Sequence, residues 1–286
     1  MTRYRLLAVD VDGTLLNPQD ELTEPTRQAL LRAGQSGLRV ALVTGRRYRK
    51  ALPYVEPLGL AAPVVTASGA LIKHPQENHR TLFAADFGEE TLSQWLRIVV
   101  EEGWEPLAHA DTFDAGFDFY FRRQTRPRPE LAEYLQANDA LGRDCPDLLD
   151  APPRGVFSGF VMGPREAMLE LAGLLQERLP GKLSVHVARS PLYAGFMCEV
   201  APAGADKWSG VRFLADAWEI QPEEICAVGD DVNDLPMIRG AGLGVAMGNA
   251  RPEVKEAADR VAPPHTEDGL AEVVAWLMDM NHRSGD

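Results

Sequence analysis

The feature that most constrains this chain is a local pattern that recurs along it: a short, almost wholly apolar run that stops at a glycine-containing loop of acidic or hydroxyl residues. Leu6-Leu7-Ala8-Val9 opens into Asp10-Val11-Asp12-Gly13-Thr14, Leu38 to Val43 into Thr44-Gly45-Arg46, and Ile225-Cys226-Ala227-Val228 into Gly229-Asp230-Asp231-Val232-Asn233-Asp234. Runs without polar alternation are strands covered on both faces, as in parallel sheets. The segments between them read as helices. Thr23 stands as a cap with Pro25 in the first turn, Ala29, Leu30 and Ala33 give an apolar face, and Gly34 and Gly37 end it. A second helix, broken or kinked by Pro53, leads to a strand at Pro63-Val64-Val65-Thr66 and a turn at Ala67-Ser68-Gly69-Ala70. Strands joined through helices need right-handed crossovers, so the sheet is expected to be parallel.

Near residue 83 the character changes. Glu89 to Glu102 has Leu92, Trp95, Leu96 and Val99 at helical spacing, and Phe117 to Phe121 is an aromatic strand. Strands at Gly155 to Met162, Leu183 to Ala188 and Ala194 to Val200 surround a helix at Pro164 to Leu179. This mixture suggests an α+β unit inserted into the first sheet. After Pro202 the parallel pattern resumes, with helices at Asp206 to Trp218 and Leu235 to Gly240, a strand at Gly244 to Met247 and a closing helix at Gly269 to Met278. Asn281 to Asp286 are expected to fray.

With 286 residues and 45% apolar content, the chain is long enough for two domains and too hydrophobic for disorder. A net charge of −13 argues against nucleic acid as a partner. The basic stretch Arg122, Arg123, Arg126 and Arg128 reads as a solvated loop, with substrate contact as the alternative. No apolar run reaches the roughly 18 residues of a membrane span, and the start lacks a signal-peptide core, so a cytoplasmic protein is expected. Cys145, Cys198 and Cys226 lack metal or disulfide spacing and read as packing residues. Trp95, Trp218 and Trp276 fall on apolar helix faces, whereas His109 and His186 read as surface or packing residues.

The chemistry should lie beyond the carboxyl ends of the strands. Asp10 and Asp12 lean toward one ligand, and Asp230 and Asp234 add negative charge at another strand end. Carboxylates so close repel unless a cation intervenes or one is protonated, and oxygen-only ligands favour Mg²⁺. Lys207 and the Thr44-Gly45-Arg46 turn offer a cation, a hydroxyl and backbone N–H groups suited to a phosphoryl group. An aspartate can attack phosphorus, and a neighbouring carboxyl can protonate the leaving oxygen.

Asp10-Val11-Asp12-Gly13-Thr14-Leu15, Thr44-Gly45-Arg46, Lys207 and Gly229 to Asp234 together resemble the four ordered motifs of the haloacid dehalogenase superfamily. Ala246-Met247-Gly248-Asn249-Ala250 and Glu267-Asp268-Gly269 resemble its Cof-type branch. The resemblance implies an α/β fold: a Rossmann-like parallel sheet core, residues 1–82 and 201–286, carrying an inserted α+β cap at 83–200. It implies Asp10 as nucleophile and metal ligand, and Asp12 as general acid/base binding metal through its backbone carbonyl. Thr44, Gly45, Lys207 and Asn233 would hold the phosphoryl group, while Asp230 ligates Mg²⁺ and Asp234 ligates it or supports a ligand. Two departures stand out: Ser68-Gly69-Ala70 replaces the usual Asn-Gly-Ala, and Trp208 follows the lysine where a small residue is common.

The expected activity is a Mg²⁺-dependent phosphatase acting on a small phosphorylated metabolite through an aspartyl-phosphate, with sugar phosphates as the implied class. No membrane or obligate protein partner is implied. The alternatives are a phosphomutase acting on sugar phosphates and a non-catalytic phosphometabolite-binding protein.

Overall fold

The computed structural model describes residues 3–190 and 192–283. Its first strand, β1 (Leu6–Asp10), is buried along its whole length, as an apolar run with covered faces must be. Helix α1 (Glu24–Gln35) follows, then β2 (Arg39–Val43), α2 (Tyr48–Val55), β3 (Val64–Thr66), β4 (Leu71–His74) and β5 (Arg80–Ala84). Thr23 stands at the head of α1 but does not cap it; its hydroxyl donates to Asp268 instead, at 2.5 Å. Gly34 lies within α1, and the chain leaves the helix through Gly37 at φ 88. Pro53 sits near the end of α2, which tightens into a turn at Glu56–Leu58.

The chain divides into two compact units, 3–83 with 206–283 and 84–190 with 192–205, among the described residues. The second boundary falls five residues beyond the expected one, because the last strand of the inserted unit runs on to Pro202 in register with its neighbour. That unit holds α3 (Glu89–Glu101), β6 (Leu107–Ala110), β7 (Phe119–Phe121), α4 (Pro129–Ala137), β8 (Gly142–Asp144), β9 (Val156–Gly163), α5 (Arg165–Arg178), β10 (Leu183–Arg189) and β11 (Phe196–Pro202). Its sheet runs β10-β11-β9-β6-β7-β8, antiparallel except between β7 and β8. Trp95, Leu96 and Val99 of α3 and Met168, Leu171 and Leu175 of α5 form one apolar cluster with Val161, Cys198 and Val200. Leu131 and Tyr134 of α4 cluster with Phe119 and Phe160. His109 is buried beside Ser158, its Nδ1 3.2 Å from the hydroxyl, and His186 is exposed. The arginine stretch is in part engaged within the unit: Arg123 pairs with Asp144, and Arg128 lies over Trp104 with Glu105 nearby.

The first unit resumes with α6 (Lys207–Ala217), β12 (Ile225–Gly229), α7 (Leu235–Gly240), β13 (Leu243–Ala246), α8 (Pro252–Ala257), β14 (Arg260–Val261) and α9 (Gly269–Arg283). Its eight strands run β14-β13-β12-β1-β2-β3-β4-β5, parallel from β14 through β3, with β4 antiparallel to β3. The fold is α/β. Leu7 and Val9 face α1 and α9 on one side, and Leu6 and Ala8 face α6 on the other. Cys226 is buried within the first of these layers. Trp218 and Trp276 are only half-buried; Arg39 covers the first ring and Arg260 the second.

The expected fraying does not hold for the first part of the tail. Met278 and Met280 pack against the core, so α9 continues to Arg283, and Asn281 grips Tyr4 with both amide atoms at 2.7 and 2.8 Å. Residues 284–286 lie outside the described residues.

Candidate active site

Successive connections run from β1 outward through β2 and β3 on one side, and from β12 through β13 and β14 on the other. The strand order therefore reverses between β1 and β12, where α/β sheets leave a crevice at the carboxyl ends of their strands. Asp10 is the last residue of β1, and Asp230 directly follows β12.

After β1 the chain makes one irregular turn over Val11–Leu15, closed by the Leu16 N–H donating to Val11 O at 3.1 Å. Gly13 takes φ 77, and a Cβ there would stand 2.3 Å from Asp230 Oδ2, so only glycine lets this carboxylate lie against the first loop. A similar approach brings in Lys207. Gly69, at φ 99, lets the Asp206 carbonyl come within 1.8 Å of where its Cβ would be, seating the head of α6 on the turn after β3. Asp206 caps α6 reciprocally with Ser209, which fixes Lys207 as the first helical residue.

The Lys207 ammonium uses its three donors within the site. It donates to Asp10 Oδ1 at 2.7 Å, Asp234 Oδ1 at 2.6 Å and Asn233 Oδ1 at 3.1 Å. Burial opposes the charge on Lys207, but the Asp10 and Asp234 carboxylates outweigh it and hold its pKa above that of a free lysine. Burial, reinforced by Asp234, lifts Asp10 well above the ordinary carboxylate range against the pull of Lys207. Asp234 is enclosed; its Oδ2 accepts the backbone N–H groups of Asp230 and Asp231 at 2.9 and 3.0 Å. Burial and the charges of Asp234 and Asp231 push Asp230 up to about 7.

Asp10, Asp230 and Asp234 each place a carboxylate oxygen within 4.8 Å of the others. Asp230 Oδ1 is buried and accepts no hydrogen bond. Three carboxylates against one ammonium leave a deficit of two positive charges, and the donors are all oxygen. A hard divalent cation fits that set.

Asp12 stands apart from this cluster. Its side chain is half exposed and is gripped by Arg46, whose Nε lies 2.8 and 3.0 Å from the two oxygens and whose Nη2 also donates to Oδ1. Arg46 in turn lies over the Tyr54 ring. Thr44 is fully buried; its hydroxyl donates to Asp12 Oδ2 at 3.3 Å and accepts the Arg46 N–H at 3.0 Å. Gly45 faces Ser68 Oγ and Asn233 Nδ2, which lie 3.4 and 4.0 Å from where its Cβ would stand.

Asp10, Lys207, Asn233, Asp230 and Asp234 thus converge directly, whereas Thr44 and Asp12 form a second group organised by Arg46. Sequence reasoning misses Arg46 as the link between them. Its only local signal is a cation two residues after a strand-ending threonine.

A family model described as haloacid dehalogenase-like hydrolase matches residues 7–274. The chain belongs to this family. Within the haloacid dehalogenase-like hydrolases it is similar to the 5-amino-6-(5-phospho-D-ribitylamino)uracil phosphatase YitU of Bacillus subtilis, at 27% identity over 94% of this chain and 96% of the relative. It is also similar to the HMP-PP phosphatase of Serratia proteamaculans, at 30% identity over 88% of this chain and 86% of the relative. Among solved structures it resembles a haloacid dehalogenase-like hydrolase from Bacteroides thetaiotaomicron, with a TM-score of 0.78 and 27% identity over 96% of this chain and all of the other. The Cof-type resemblance holds, and the chain is a phosphatase of this family. Among the described residues, no helix is long and apolar enough to cross a membrane.

Proposed function

We propose that this phosphatase hydrolyses phosphomonoesters of small metabolites, with sugar phosphates as the leading class, through an aspartyl-phosphate on Asp10. The observation that carries the reading is the buried Asp10 carboxylate, held by Lys207 at 2.7 Å beside an Asp230 oxygen that has no hydrogen-bond partner. Asp10, Asp230 and Asp234 are the carboxylates that would hold Mg²⁺, with the Asp12 backbone carbonyl as a further oxygen. When bound, the ion supplies positive charge to the phosphoryl oxygens and screens the carboxylates from the anionic ester.

The remaining chemistry belongs to the chain. Lys207 holds Asp10 in place and keeps a positive charge beside the reacting phosphorus. An Asp10 oxygen attacks that phosphorus as the ester P–O bond breaks, and Asp12, in its acid form once it has left Arg46, gives its proton to the departing alkoxide. Asp12 then takes a proton from water, which attacks the aspartyl-phosphate and frees inorganic phosphate and Asp10. The Asn233 amide and the backbone at Gly45 orient the phosphoryl oxygens, joined by the Thr44 hydroxyl when it leaves Asp12. Arg46 aims Asp12 until the leaving-group oxygen replaces it. The cytoplasm is the expected compartment.

Purified protein with Mg²⁺ should release inorganic phosphate from members of a panel of phosphorylated sugars, nucleotides and cofactors. Asp10→Asn should lower turnover by about 10⁴-fold or more while leaving the circular dichroism spectrum intact. An isomerised sugar phosphate without free phosphate would identify a mutase. Saturable binding without turnover would identify a binding protein, and full activity of Asp10→Asn would remove the nucleophile from this scheme.

A further inference from the structure

The Gly248-Asn249-Ala250 turn follows β13 and is given no part in the scheme above, yet it is tied closely to the Asp230 loop. The Met247 N–H donates to Gly229 O at 3.0 Å, and the Arg251 N–H to Asp230 O at 3.0 Å, so the backbone on either side of Asn249 is pinned to β12 and its loop. Between these pins the Asn249 side chain reaches across the sheet's reversal point. Its Nδ2 donates to Gly13 O at 2.8 Å and lies 3.4 Å from Asp230 Oδ2, while its Oδ1 accepts the His265 N–H at 3.0 Å. The His265 ring adds a second tie to the first loop: Nδ1 lies 2.9 Å from Leu16 O. A carbonyl only accepts, so Nδ1 carries the proton and donates.

We propose that Asn249 is a positioning residue that holds the Asp230 carboxylate against the first loop and leaves its Oδ1 bare for the cation. This inference rests on the metal reading given above. One amide bridges the loop after β1 and the carboxylate after β12, at the ends of two strands that run parallel and adjacent. By engaging Asp230 Oδ2 it fixes which oxygen stays open, the oxygen that is buried without a partner. Groups that orient a metal ligand from behind typically set metal affinity by 10- to 100-fold, on the order of what is expected here. Asn249 is itself exposed, so its replacement leaves the apolar core untouched.

The test is binding of Mn²⁺ to the metal-free protein, read by electron paramagnetic resonance, with the melting temperature of the metal-free protein measured in parallel. Asn249→Ala and the near-isosteric Asn249→Leu, which loses the donor without adding charge, should both bind Mn²⁺ roughly 10- to 100-fold more weakly than the natural chain, with little change in metal-free melting. Asp230→Asn serves as the reference for loss of a ligand. If both Asn249 variants bind Mn²⁺ as the natural chain does while Asp230→Asn does not, the inference about Asn249 is wrong and the metal reading stands. A lowered melting temperature with unchanged affinity of the folded protein overturns the inference in the same way. If the natural chain binds no Mn²⁺, or Asp230→Asn binds it equally well, the metal reading itself falls and takes this inference with it.

Discussion

Replacing Lys207 with methionine tests the electrostatics of the site more directly than any other single change. The ammonium is buried and touches two buried carboxylates, at 2.7 Å for Asp10 and 2.6 Å for Asp234. Charge centres about 4 Å apart attract by roughly 4 kcal/mol at an effective dielectric near 20, so the two contacts contribute about 8 kcal/mol before desolvation of the lysine is set against them. Removing one partner of such a cluster leaves uncompensated charge, and the net loss is about 3–5 kcal/mol. The loss should depend on pH with a definite sign. Lys207 pulls the Asp10 pKa down, so without it Asp10, already raised by burial, rises further above its unfolded value. The native state then holds more protons than the unfolded state over the interval between those values, and stability falls as pH rises through it. Native-state hydrogen exchange at the β1 and β12 amides reports the first unit by itself and is the suitable assay. Lys207→Met should be less stable than the natural chain by about 3–5 kcal/mol at pH 8 and by less at pH 5. Saturating Mg²⁺ should recover about 2.7 kcal/mol at one hundred times its dissociation constant. A penalty under about 1 kcal/mol, or one that does not grow with pH, would refute the argument that this lysine neutralises buried charge.

Two further perturbations address groups outside that cluster. Arg46→Lys keeps the charge but loses the two-pronged hold on Asp12, so kcat should fall roughly 10- to 100-fold while the Mg²⁺ concentration for half-maximal activity stays put; an unchanged kcat would show that this hold is idle. Glu199 on β11 is pushed up to about 7 by burial, so its folded pKa exceeds the unfolded value near 4.5. Its contribution to stability is full below that lower value and is lost as pH rises through about 7. Relative to Glu199→Gln, the natural chain should therefore lose between about 1 and 3 kcal/mol from pH 4 to pH 8, read by thermal unfolding, and a difference independent of pH would contradict the assigned burial.

The parallel strands were legible because burial on both faces leaves a plain mark: Leu6–Val9, Val40–Val43 and Ile225–Val228 contain no polar residue that must reach water. Elements at the margins leave none. β14 has two exposed residues, β8 reads Gly142-Arg143-Asp144, and β5 carries Arg80 and Thr81 on an outer edge. The helix α4 was obscured by the proline and arginine run that precedes it, although Leu131 and Tyr134 are spaced for a helix face. In the site, residues at strand ends could be placed together because the topology carries them there. The Arg46 grip on Asp12 and the reach of Asn249 to Gly13 could not, since both depend on how a side chain turns after its backbone has been placed.

The central position of β1 has a consequence for the order in which this chain can be built. Leu6 has its β12 partner in Ile225, and β12 leaves the ribosome only after the whole of the contiguous unit 84–205. That unit has its own apolar clusters and can fold during synthesis, while β1 waits with β2 along one edge and, along the other, unpaired backbone N–H and C=O groups flanked by apolar side chains. Ribosomes stalled before Ile225 would leave a chain whose inserted unit is sound and whose first strand is adhesive, and the carboxylates of Asp10 and Asp230 meet only once β12 has emerged.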